Sequence, residues 1–251
     1  MKLLRPAIIL LGLLALWQAV VILSGAPPYI LPGPLAVAKA WIQRPELFLH
    51  HGAITLAEIL LGLVFGLGLG VASALLMAYF RPARQWLLPV LVISQAVPVF
   101  ALAPVLVLWV GYGMASKVVM ATLIIYFPVT AAFHDGLRRT EPGWVELART
   151  MNGSRWAIMR HIRIPAALPA LGSGLRVAAA VAPIGAIVGE WVGSSSGLGY
   201  LMLHANARMQ IDVMFAALAT LALLAIALYF TIDFTVRRTI KWQPDSHPNE
   251  S

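Results

Sequence analysis

Side chains able to do chemistry are sparse in this chain, and none falls into a catalytic spacing. Ser194, Ser195 and Ser196 are consecutive, but no Gly-x-Ser-x-Gly turn surrounds them to expose a nucleophile. His50 and His51 are adjacent rather than four apart, so they do not present two imidazoles to a metal on one helix face. No Gly-x4-Gly-Lys-Ser/Thr stretch is present, so no Walker site for ATP is expected. The absence of cysteine excludes disulfides and thiol chemistry. Glu58, Glu190 and Asp233 stand in or beside apolar runs, where an acid is a functional candidate by default. They keep an intramembrane hydrolase open as a rival reading. Charge gathers instead in one stretch, Glu146 to Pro165, reading ELARTMNGSRWAIMRHIRIP. Arg149, Arg155, Arg160 and Arg163 lie in it, while Trp144, Leu147, Met151, Trp156, Ile158 and Met159 supply apolar contacts.

Two short amphipathic helices fit this stretch, Gly143–Met151 and Ser154–Ile162. Asn152-Gly153 is the expected break, because both residues tolerate left-handed backbone angles. Pro165 is expected to end the second segment. A short helix, a tight turn and a second short helix make a compact knob; a solvated loop held near anionic lipid by its arginines is the plainer alternative.

The stretch resembles the cytoplasmic EAA loop of bacterial ABC-importer permeases. Glu146-Leu147-Ala148 matches its start and Ile162-Arg163-Ile164-Pro165 its end. One departure is that Asn152 stands where the loop usually has glycine, with Gly153 one place later. Asn is the next-best residue for a left-handed helix end, so the turn is expected to survive. The resemblance runs over nearly the whole chain, including Gly189-Glu190-Trp191 and Ser196-Gly197-Leu198-Gly199-Tyr200. It is strongest towards permeases for nitrate, taurine, aliphatic sulfonates and pyrimidine precursors of thiamine. It implies a type I importer fold and a coupling loop at 141–165 that docks into an ATPase cleft. Glu146, Ala148, Arg149, Met151, Asn152, Gly153, Arg155, Trp156, Arg160 and Pro165 would be its ATPase-coupling positions. It further implies two permease copies as a homodimer, a dimer of ATPase subunits holding ATP and Mg, and an extracytoplasmic binding protein. This subunit itself would be non-catalytic and without a cofactor, in the bacterial inner membrane.

Composition leads to the membrane independently. The chain is 60% hydrophobic and 11% charged, with a mean hydropathy of +0.84; soluble domains carry about 25% charged residues. The formal charge of +8 brackets the apolar runs and requires no nucleic acid. No clean small-x-small site follows the first run, so it reads as a span rather than a cleaved leader. The class expected is an all-α polytopic bundle forming a single permease domain. Its six spans are expected near 6–23, 54–80, 86–110, 117–134, 168–192 and 213–232. Leu35–Trp41 reads either as a short interface helix or as an extracytoplasmic segment like that of taurine-type permeases.

Particular residues then take places on these spans. Gly62, Gly66 and Gly70 recur every four residues on one face of the second span, with Gly68 off it. Small residues on one face let helices approach closely in lipid. Pro89, Pro98 and Pro104 break up 86–110, so that segment is expected inside the bundle, where freed carbonyls find partners. Ser94 and Gln95 beside Pro98 are path candidates, and Gln95 serves equally as an interhelical hydrogen bond. Tyr126, Thr130, Ser173 and Glu190 join them as path candidates. Arg176 either snorkels to the interface or pairs with an acid. With Lys2 inside, thirteen Lys/Arg fall on inner segments against four outside, namely Lys39, Arg44, Lys117 and Arg208. That asymmetry places both termini and the loop in the cytoplasm. No convincing repeat supports a secondary transporter, the other rival; a paired acid–arginine network would favour it. With few fixed charges in the spans, a neutral hydrogen-bonding solute is expected; the Tyr126–Tyr200 region resembles permeases for hydroxymethylpyrimidine-type thiamine precursors, which are preferred on that resemblance to taurine, sulfonate or nitrate.

Overall fold

The computed structural model describes residues 4–242. Lys2, the side chain of Arg5 and the tail after Pro244 lie outside the described residues. Helix α1 (Leu4–Ser24) tolerates Pro6 because the first turn has no use for its N–H. Gly25 to Pro32 then breaks the chain before α2 (Pro34–Gln43), which buries Val37 and Ala40. Trp41 Nε1 donates to Thr220 Oγ1 at 3.2 Å, so α2 is tied to the bundle rather than floating at an interface.

Helix α3 (Pro45–Tyr79) has 35 residues. It starts nine residues before the apolar run because Pro45 opens it and Phe48, His51 and Thr55 are buried. At about 1.5 Å per residue it exceeds the roughly 30 Å hydrocarbon layer. The expected span 86–110 is not one helix. It forms α4 (Arg81–Ser94) and α5 (Val99–Val110), bent by 105°. The break falls at Pro98, which is extended at ψ 117°. Pro89 and Pro104 are accommodated inside the two helices. The expectation that this segment lies within the bundle fails for the single chain. Leu91, Ala103 and Val107 are buried, but Trp86, Phe100, Leu108 and Trp109 are exposed. Ser94 donates to Leu91 O at 2.8 Å, which satisfies one carbonyl near the break.

Helix α6 (Met114–Arg138) is the centre of the bundle, packed against α3 and the long helix α9 (Ile164–Gly193). Between α6 and α9 lie α7 (Pro142–Thr150), α8 (Arg155–Ile158) and a π-helical turn, Met159–Arg163. Two further helices, α10 (Leu198–Ala207) and α11 (Ile211–Thr239), complete the fold. Among the described residues four helices are long and apolar enough to cross a membrane, or five with the bent pair counted as one. The chain is thus an all-α polytopic bundle with four to five such spans, against the six expected.

Three apolar layers stack along the bundle. Phe48, Leu198, Val213 and Ala217 sit at one end. Ile59, Ala121, Ile125, Ala182 and Leu228 fill the middle, and Ala74, Phe133, Met159 and Ala167 the other end. Arg176 pairs with Asp233 at 2.6 Å, and Arg237 reaches the same carboxylate at 2.9 Å.

The α3–α6 seam is closed by the glycine stripe. A Cβ on Gly62 would lie 2.5 Å from Ala121 Cβ, and on Gly66 2.5 Å from Ile125 Cγ2. On Gly70 it would lie 2.8 Å from Val129 Cγ1, whereas on Gly68 it meets nothing within 4 Å. Gly66→Ala is therefore expected to cost about 1–3 kcal/mol by overpacking, and Gly68→Ala to be neutral. Thermal midpoints of the two purified variants check this; equal midpoints would contradict the seam.

Candidate functional site

Two places in the bundle concentrate polar side chains, one at each end. The first is the elbow formed by 141–165. Pro142 opens α7 in the turn where its missing N–H costs least. Helix α7 closes with a double bond pattern: Asn152 N–H donates to Arg149 O at 3.0 Å and Gly153 N–H to Ala148 O at 2.8 Å. Asn152 takes the left-handed angle, φ 58°, that such a closure requires. Gly153 is needed for a different reason, because a Cβ there would lie 2.7 Å from Ala148 O. Ser154 then caps α8, its Oγ accepting from Ala157 N–H at 3.2 Å.

The expected stop at Pro165 does not occur. Pro165 sits in the first turn of α9, where no intrahelical donor is lost. The wider π turn before it carries the chain through, so Arg155–Gly193 is one continuous span of 39 residues. The second arm of the elbow and the fifth expected span are one rod.

The elbow has three faces. Val145, Ile158 and Met159 are buried against the bundle. Trp144, Leu147 and Met151 are exposed and border an apolar groove of about 740 Å³, completed by Ile162, Pro165 and Trp242. On the other side Arg149, Arg155 and Arg163 join Arg81 and Arg84 around a second groove of about 760 Å³. Trp156 lies edge-on to Tyr79, ring centroids 6.3 Å apart. Glu146 and Arg160 are exposed and line neither groove.

The second place is a buried cluster at the opposite end. Glu58 on α3 pairs with Lys117 on α6 at 2.9 Å, with the side chains 0% and 3% exposed. Among the described residues neither Glu58 oxygen meets any other hydrogen-bond donor. Lys117 is therefore not a loop charge as the topology count took it; removing it leaves the asymmetry intact. Glu190 on α9 accepts from the Thr55 hydroxyl at 2.6 Å and from Gly199 N–H. Leu198 N–H donates to Thr55 Oγ1 at 2.8 Å, and Gly197 N–H to His51 Nδ1 at 2.9 Å. Gly197 has φ 108°, and a Cβ on it would overlap the Glu190 carboxylate. The start of α10 is thus wrapped around Glu190 and pinned to α3. His51 also stacks on Tyr200, which lies against His204.

The path candidates do not meet in one cavity. Ser94 and Gln95 are exposed at the α4–α5 bend. Tyr126 donates to Ser73 at 2.9 Å and Thr130 to Tyr126 O at 2.6 Å, both within the helix seams. Ser173 is exposed on α9, and Glu190 is closed into the buried cluster. Nor do the three acids of the hydrolase reading converge: Glu58 and Glu190 have fixed partners, and Asp233 pairs with Arg176 nearer the elbow. His51, Thr55 and Lys117 were not singled out in the sequence as one site. A lone lysine and a lone glutamate in neighbouring apolar runs were the available signal.

The helical membrane bundle with its exposed elbow defines the class, an all-α polytopic membrane protein. Residues 62–241 match the family described as "Binding-protein-dependent transport system inner membrane component", and the chain belongs to it. A probable ABC transporter permease protein of Haemophilus influenzae is 57% identical over 95% of this chain and 98% of its own. A formylaminopyrimidine transport permease protein of Halalkalibacterium halodurans is 36% identical, covering 96% of both. A riboflavin transport system permease protein of Chloroflexus aurantiacus is 37% identical over 93% of this chain and 88% of its own. A crystal form of the MetNI methionine ABC transporter shares the fold, with TM-score 0.68 at 22% identity over 78% of this chain and 97% of that one. The chain is accordingly a non-catalytic, multi-pass inner-membrane permease subunit of an ABC importer for a small solute. Its family works with an ATPase and a solute-binding protein. Family membership, rather than the buried ion pairs, decides against a secondary transporter.

Proposed function

We propose that the elbow at 141–165 is the element on which the ATPase acts, and that the rod continuing from it carries the motion across the membrane. The observation that carries this reading is the continuity of Arg155–Gly193 with an elbow whose Trp144, Leu147 and Met151 are exposed. A closing ATPase that takes these apolar side chains into a cleft moves the rod as a unit. Arg149, Arg155 and Arg160 add charge contacts around that apolar centre, with Glu146 beside them. The far end of the rod is locked through Glu190 to α10 and α3, where a binding protein would arrive.

The proposed topology has six crossings, with α1 as the first and the bent α4–α5 pair as the third, and both termini cytoplasmic. A second copy of the chain completes the path. A bent span leaves carbonyls that need protein or a water-filled cavity beside them, and the exposed side of α4–α5 offers that place to a partner copy, with Ser94 and Gln95 at the bend. The solute proposed is a neutral nitrogen heterocycle of the hydroxymethylpyrimidine type. Lys117 and Arg176 are engaged by acids, so neither is free for an anionic substrate. The two relatives near 36–37% identity are named for formylaminopyrimidine and riboflavin, both nitrogen heterocycles.

Both parts are open to test. In this cysteine-free chain Arg149→Cys is expected to react with an impermeant thiol reagent only from the cytoplasmic side; labelling only from outside overturns the topology. Calorimetry on the partner binding protein is expected to show micromolar or tighter affinity for the pyrimidine. Such affinity for a sulfonate, taurine or nitrate, with none for the pyrimidine, overturns the substrate and leaves the importer standing.

A further inference from the structure

The basic groove is made by parts of the chain that the coupling role does not require to meet. Arg81 and Arg84 come from the start of α4, Arg149 from the end of α7, Arg155 from the start of α8 and Arg163 from the π turn. Met77, Ile158 and Met159 form an apolar floor, and Tyr79 and Phe80 stand at its side. No acidic side chain lines it, and none of the five arginines has an ion pair among the described residues. Five like charges gathered without a counter-ion repel one another, a repulsion that an anion from outside the chain would relieve. Its level is fixed by α3, whose last apolar turn supplies the floor. This is where an apolar helix leaves the hydrocarbon and where a tyrosine sits at headgroup height.

We propose that this groove holds the phosphate of an anionic phospholipid headgroup, with the acyl chains running down beside the exposed Phe80 and α4. A guanidinium fork matches a phosphate with two parallel hydrogen bonds, and basic pockets between spans on the cytoplasmic side favour such headgroups. The arrangement gives the elbow two partners: lipid in the groove, held chiefly by Arg81, Arg84 and Arg163, and the ATPase on the apolar side with Trp144, Leu147 and Met151, with Arg149 and Arg155 shared between them. The bound lipid would brace α7 and α8 against α4 and set the resting angle of the elbow. The proposal rests on the orientation argued above for the choice of leaflet only. Lipid retention reads the site whichever way the chain is inserted, so its failure is distinct from a failure of the labelling test.

The experiment uses the assembled transporter, extracted from nanodiscs of phosphatidylcholine and phosphatidylglycerol and examined by native mass spectrometry. Phosphatidylglycerol is expected to be retained over phosphatidylcholine by the wild type. Retention is expected to fall about 25-fold in R81Q/R84Q, about fivefold for each charge removed, and to fall less in R81K/R84K, which keeps the charge and loses the fork. Should the double glutamine variant fail to assemble, the single variants R81Q and R84Q carry the same test. Retention equal in wild type and R81Q/R84Q overturns the proposal. So does displacement of phosphatidylglycerol by inorganic phosphate at equal concentration, which would make the groove a soluble-anion site. Loss of the ATPase from R81Q/R84Q with lipid retention unchanged assigns the groove to acidic side chains of that subunit and overturns it as well.

Discussion

Lys117→Met is expected to cost the permease about 3–5 kcal/mol, and adding Glu58→Gln to recover most of it. The pair is 2.9 Å apart with both side chains essentially excluded from solvent. In that setting the single substitution leaves a carboxylate with no countercharge, and breaking a buried pair by removing one partner costs about that much. The double variant removes the charge as well as its partner, and a neutral amide beside a thioether carries a far smaller burial penalty. Nearby, Thr55 and Glu190 make bonds of their own, so the loss should spread to the α10 start that they hold. The measurement is the thermal midpoint of the purified single and double variants in one detergent. Equal midpoints for Lys117→Met and wild type, or no recovery in the double variant, would falsify the pair as an energetic unit.

That cluster also marks what the sequence displayed and what it hid. The apolar runs and the arginine-rich elbow are local properties, so composition and spacing made them visible. The four-residue glycine interval displayed the α3 face that α6 approaches, because helical period converts spacing into direction. Lys117 showed the limit of that logic. Standing next to Gly111-Tyr112-Gly113, it looks like a loop charge, and its burial arises from Glu58, which is distant in the chain. Glu190 and Gly197 belonged visibly to one stretch, but the reason glycine is needed there is a carboxylate seven residues earlier folded back onto it. Pro165 was misread for a similar reason. A proline ends a helix that approaches from its N-terminal side, but here the π turn lets it begin the next one. The exposure of α4–α5 in the single chain could not be read at all, because which side of a bent span is covered is set by packing distant in the chain.

Gly153→Pro is expected to leave the permease inserted and assembled while uptake per ATP hydrolysed falls about tenfold or more. Gly153 donates its N–H to Ala148 O at 2.8 Å, and this bond closes α7. Proline has no N–H to give, its φ is fixed, and its ring would crowd the carbonyl that a Cβ would already approach at 2.7 Å. The two arms of the elbow would then meet at a changed angle, with α7 displaced and the rod beginning at Arg155 still intact. A loss of only about 1.4 kcal/mol in productive docking is a tenfold change, so a modest displacement of Trp144 and Leu147 suffices. Basal hydrolysis belongs to the ATPase and should persist, whereas stimulation by the loaded binding protein should be lost. Arg155→Glu separates charge from geometry: it keeps the turn and should weaken retention of the ATPase through salt-sensitive contacts. Reconstituted complexes would be scored for subunit retention, stimulated hydrolysis and uptake side by side. Normal coupling in both variants would remove the elbow from energy transfer, and would leave the exposed Trp144, Leu147 and Met151 to be explained as a surface for another partner.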